Sequence, residues 1–76
     1  MMLEALRHIL QRFPHLSFNV EGEKDMITLK LNFKRYVVSS ADLEHLLKTP
    51  GMFEIEFLAE DDELHCYIYL STEEAE

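Results

Sequence analysis

One cysteine, two glycines, two prolines and no tryptophan occur in the 76 residues. A lone Cys66 excludes a disulfide framework and fits a reducing compartment, so a cytoplasmic protein is expected. With only Gly22 and Gly51, there is no glycine-rich loop to cradle a phosphate. No apolar run approaches the ~18 residues that a membrane span needs. Glu4, Arg7 and His8 break up the N-terminal apolar stretch, so it does not read as a signal peptide. Cations are scarce in the second half. From Tyr36 onward, Lys48 stands alone against eleven carboxylates, a net −10, whereas residues 1–35 hold six cations against four carboxylates, a net +2. Phosphate repulsion disfavours direct nucleic-acid binding through the acidic half. Attraction to a protein with a basic surface is favoured, although an acidic surface also simply keeps a small protein dissolved.

A chain this short buries only ~60% of the surface its unfolded form exposes. Its stability then rests on one thin core, and a homodimer that buries more apolar surface is one way to add to it. The apolar fraction, 47%, is that of a folded globular chain. Residues 1–70 read as a single α+β domain, and residues 71–76 as a frayed acidic tail.

The pattern changes period along the chain. Leu3, Leu6, Ile9, Leu10 and Phe13 recur at helical spacing, with Glu4, Arg7, His8, Gln11 and Arg12 opposite, and Pro14 stops the helix. Leu16, Phe18 and Val20 then alternate with polar residues, as do Ile27, Leu29, Leu31 and Phe33. A turn centred on Glu23-Lys24 would set Val20 against Ile27 and Phe18 against Leu29. The alternation lapses at Phe33-Lys34-Arg35, which suggests a second tight turn and a short third strand, Tyr36-Val37-Val38. Ser39 and Asp42 have the spacing of a capping box, with Val38 and Leu43 placed as a hydrophobic staple. Leu43, Leu46 and Leu47 would be the buried stripe of the second helix, which ends before Thr49-Pro50-Gly51. The expected fold is therefore α-β-β-β-α-β-β, a mainly antiparallel five-stranded sheet with both helices on one face.

The best-registered unit is the hairpin 52–70, turning at Asp61-Asp62. Phe57, Ile55 and Phe53 would meet Cys66, Ile68 and Leu70 on a core face. Glu56, Glu54 and Leu58 would meet Tyr67, Tyr69 and His65 on an outer one. His65 and Cys66 cannot act as base and nucleophile together, because adjacent strand residues point to opposite faces. Cys66 reads as a small core hydrophobe. His8, His15, His45 and His65 lack metal-site spacing and read as scattered surface residues. The Glu60–Glu63 tip lacks the curled, glycine-bearing loop of a calcium site. Glu54 and Glu56 are close enough to suggest paired carboxylates, but a sheet this small offers no cleft. No enzyme, metal or cofactor is expected. The residues picked out for partner binding are Glu54, Glu56, Asp61, Asp62, Glu63, Tyr67 and Tyr69, since tyrosine offers apolar area and a hydroxyl at low entropic cost.

The expected element order and acidity over residues 2–70 resemble a shortened type III secretion chaperone, with the final helix reduced to STEEAE. That resemblance implies a homodimeric, acidic chaperone or adaptor. The composition is also similar to that of toxin-immunity partners. The leading expectation is a small acidic, non-enzymatic protein-binding domain, an inhibitor that masks a basic, nucleic-acid-binding surface by charge mimicry.

Overall fold

A computed structural model describes residues 2–34 and 38–71. Two helices and four strands follow in the order α1 (Met2–Arg12), β1 (Ser17–Glu23), β2 (Met26–Lys34), α2 (Ser40–Leu47), β3 (Met52–Glu60) and β4 (Glu63–Ser71). The strands form one antiparallel sheet in the order β1-β2-β4-β3.

Among the described residues the sheet has four strands and not the five expected. Tyr36 and Val37 lie outside the described residues, and Val38 is not in a strand. The expected turn at Phe33-Lys34-Arg35 is also replaced at its first two residues, and Arg35 lies outside the described residues. β2 runs on through both residues, with Phe33 opposite Leu64 and Lys34 opposite Glu63. The reason is the position of β4. It pairs with β2 along its whole length, from Met26–Ser71 to Lys34–Glu63, and so fills the edge that a third meander strand would need. The element order behind the chaperone resemblance falls with that strand.

Two registers differ from expectation in detail. The first hairpin turns at Lys24-Asp25, which sets Val20 against Leu29 and Phe18 against Leu31. The shift is two residues, so the apolar sets still share a face. The second hairpin keeps Phe57–Cys66, Ile55–Ile68, Glu56–Tyr67, Glu54–Tyr69 and Leu58–His65 as expected, but a bulge between Met52 and Glu54 brings Met52 to Leu70. Phe53 is the extra residue of that bulge. It stands 57% exposed, with its ring centroid 6.4 Å from that of Tyr69.

The core is one cluster. Leu29, Leu31 and Phe33 of β2 and Cys66, Ile68 and Leu70 of β4 alternate along the two central strands and meet Ala5, Ile9 and Phe13 from α1 and Leu46 from α2. Both helices therefore cover the same face of the sheet. They cover its centre better than its margins, and Phe18 and Val20 on β1 and Phe57 on β3 remain exposed. The stripe expected on α2 shrinks to Leu46, because Leu43 and Leu47 face outward, as does Leu3 on α1.

Local signals close the elements. The Ser39 hydroxyl accepts from the Asp42 N–H at 3.1 Å, and Asp42 Oδ2 accepts from the Ser39 N–H at 3.0 Å, a reciprocal capping box. At the other end, the buried Thr49 hydroxyl donates to the Leu46 carbonyl at 2.6 Å. Gly51 takes φ 81°, the left-handed conformation by which the chain turns from α2 into β3. The β3–β4 turn places both Asp61 (φ 50°) and Asp62 (φ 65°) in that region, as a two-residue type I′ hairpin turn requires. Aspartate tolerates this conformation, but glycine adopts it without a Cβ penalty. Asp62→Gly is expected to stabilise the fold by about 0.5–1 kcal/mol, read as a raised urea midpoint; an unchanged or lowered midpoint would contradict the turn assignment.

Candidate functional site

Strand alternation on β3 and β4 sends Glu54, Glu56 and Leu58 of β3 and His65, Tyr67 and Tyr69 of β4 to the sheet face opposite the helices. The central position of β4 puts the tyrosines in the middle of that face, while the glutamates stand at its margin on β3. Tyr69 Oη donates to Glu56 Oε1 at 2.8 Å, one diagonal step across the pair. That carboxylate holds the phenol's proton in place and raises the Tyr69 pKa above its ordinary value. On the β2 side, Lys30 Nζ donates to Glu21 Oε2 at 2.9 Å and lies 6.0 Å from the centre of the Tyr67 ring. The hydrogen bond to Glu21 raises the Lys30 pKa. Together these residues and Thr28 line a shallow depression of about 290 Å³ in the outer face.

The remaining expected residues form the tip. Asp61 and Asp62 occupy the turn, fully outside the sheet's packing, and Glu63 opens β4. Glu63 is the less exposed of the three; its Oε1 accepts from Asn32 Nδ2 at 3.3 Å and lies 3.4 Å from His65 Nε2. The tip and the Glu/Tyr rows thus lie on one hairpin but not in one cleft. Glu54, Glu56 and Glu60 have no ion-pair partner among the described residues.

Cys66 sits in the core, as its register required, and burial pushes its thiol up to about 12. A thiol so protonated is a packing residue at neutral pH. His65 is on the opposite face of β4. Among the described residues, no group of three or more His, Cys, Asp or Glu side chains is placed to hold a metal ion.

One constellation escaped the sequence reading. His8 and His45, expected as scattered surface residues, stack face to face between α1 and α2, with ring centroids 3.9 Å apart and planes 3° from parallel. His8 Nε2 donates to the His45 carbonyl at 2.6 Å, and His45 Nε2 donates to the His8 carbonyl at 2.6 Å. A carbonyl can only accept, so each ring must carry a proton on Nε2. The edge of Phe13 packs against His45, and Phe13 in turn meets Phe33 edge to face at 5.2 Å, which ties the clamp to the core. Beside it, Arg12 Nε donates to Asp42 Oδ1 at 2.6 Å. The Ser39 backbone N–H, and then Arg12, hold the Asp42 carboxyl below its usual range. Arg12, on the helix face opposite the apolar stripe, thus bridges the helices. No spacing rule marks a pair 37 positions apart, and helical periodicity sets His8 opposite the apolar stripe of α1.

Replacing either histidine by alanine is expected to cost about 1–2 kcal/mol, because each ring supplies one partly buried hydrogen bond and half of a stack. The double variant should cost less than the sum, with a coupling of about 0.5–1.5 kcal/mol in a urea-denaturation cycle. Strict additivity would contradict the clamp.

No family model matches the chain, and no match was found among the curated proteins or the solved structures.

Proposed function

We propose that the chain is a non-enzymatic protein-binding domain that lays its acidic hairpin against a basic surface of a partner protein, in the concrete form an inhibitor masking a nucleic-acid-binding site. The observation that carries this reading is the separation of charge on the sheet. β3, its turn to β4 and the first residue of β4 bring together six carboxylates, while neither strand has a lysine or arginine. The exposed carboxylates of β3 and the turn would steer a basic partner and set its orientation. Tyr67 and Tyr69 lie beside them, half-buried, and supply aromatic area with polar tips.

The test is a titration against a lysine-rich polypeptide from low to high salt, for the natural chain and for a variant carrying Glu54→Gln, Glu56→Gln, Asp61→Asn and Asp62→Asn. All four positions are exposed, and asparagine tolerates the turn conformation, so the variant should keep its fold. Affinity is expected to fall steeply with salt for the natural chain and by about tenfold or more on neutralisation at low salt. Binding that ignores salt, or survives neutralisation unchanged, would overturn the electrostatic reading.

A homodimeric adaptor is the second reading. It is favoured by β1, an edge strand whose Phe18 and Val20 stay exposed on the same face as the helices. Light scattering behind size exclusion separates the two: a dimer mass at micromolar concentration supports the adaptor, and a strictly monomeric chain removes it.

A further inference from the structure

β3 ends the sheet. From Met52 to Glu60 one side of it pairs with β4, and no described residue pairs with the other side. The two-residue turn decides which backbone groups point which way. In such a hairpin the flanking residues, here Glu60 and Glu63, exchange both hydrogen bonds, and the exchange recurs at every second residue. Leu58, Glu56 and Glu54 therefore turn their N–H and C=O toward β4. Ala59, Phe57 and Ile55 turn theirs away from the sheet.

Natural edges are guarded by lysine, proline, a bulge or a covering element. β3 has no lysine and no proline. Its bulge lies at the start, between Met52 and Glu54, and leaves the ladder regular from Ile55 to the turn. The side chains that flank this open stretch differ by face. Glu54 and Glu56 stand exposed on the outer face, and Phe57 is 41% exposed on the helix face. β1, the other edge, is shorter, and its Glu21 is already paired with Lys30.

We propose that the open edge of β3 takes an extended, lysine- or arginine-bearing segment of the partner as a fifth strand. This rests on the basic-partner reading above and states how that partner is held. Main-chain hydrogen bonds to Ile55, Phe57 and Ala59 supply sequence-independent affinity, as in other strand additions. Alternation supplies the specificity: every second residue of the segment lies over the Glu54/Glu56 row and is cationic, and the residues between lie beside Phe57 and are apolar.

The experiment uses a short, end-blocked peptide of alternating lysine and valine as the probe, with amide exchange followed residue by residue. Binding is expected to slow exchange at Ile55, Phe57 and Ala59 by tenfold or more. Ala59→Pro removes one outward-facing N–H without touching the β3–β4 ladder, a position where an edge strand tolerates proline. It is expected to weaken the peptide about tenfold while the β4 amides stay protected; should that variant not fold, the exchange pattern of the natural chain still decides. Salt-sensitive binding with unchanged exchange at those three amides would overturn strand addition and leave the basic-partner reading standing. Protection at Phe18, Val20 and Gly22 instead would assign the edge to β1 and overturn the proposal. Failure of the peptide to bind at low salt would overturn both.

Discussion

The pairing of β2 with β4 is the constraint on which the remaining structure depends. These strands are separated in sequence by α2 and β3, yet they run together over nine residue pairs. Their helix-facing side chains make up most of the core: Leu29, Leu31 and Phe33 from one strand, Cys66, Ile68 and Leu70 from the other. Closing so long a loop costs entropy before any contact forms. The return lies in apolar area removed from water at the centre of the sheet, where both helices can cover it. Once β4 is central, β1 and β3 must be edges. Their apolar residues must then be the ones left partly uncovered.

A core this thin leaves the helices needing more than apolar contact. α2 spans eight residues, too few to persist in isolation, and only Leu46 of it is fully buried. Its position is fixed by polar contacts at both ends and along its side. The Ser39–Asp42 box closes the start, Thr49 closes the end, and the His8–His45 stack with the Arg12–Asp42 pair joins it to α1. These bonds are directional, so they set the relative placement of the helices where a Leu-on-Leu contact would allow sliding.

The same topology decides what the outer surface can offer. β4 carries the tyrosines into the middle of the open face, and β3 carries to its margin carboxylates and a backbone whose outer side pairs with no described residue. Charge of one sign, aromatic area and, among the described residues, open main-chain groups thus meet along one margin of the sheet, and the proposed strand addition rests on that meeting. On the same strand as the tyrosines, Cys66 is inward, its thiol pushed up by burial, and His65 is on the other side.

Local periodicity and pairing chemistry in the sequence determined both hairpins, both helices, the inward turn of Cys66 and the Glu–Tyr rows of the second hairpin. Those features follow from side-chain alternation, capping and turn residues, which act between neighbours in the chain. The sequence also determined the charge imbalance. Only the tertiary structure decided that β4 lies between β2 and β3, that Phe53 leaves the ladder at a bulge, and that Phe57, Leu43 and Leu47 remain outside the core. It alone joined His8 to His45 and Arg12 to Asp42. Each of these depends on which distant element occupies an edge or a face, and one-dimensional alternation reads the same whether that neighbour is present or not.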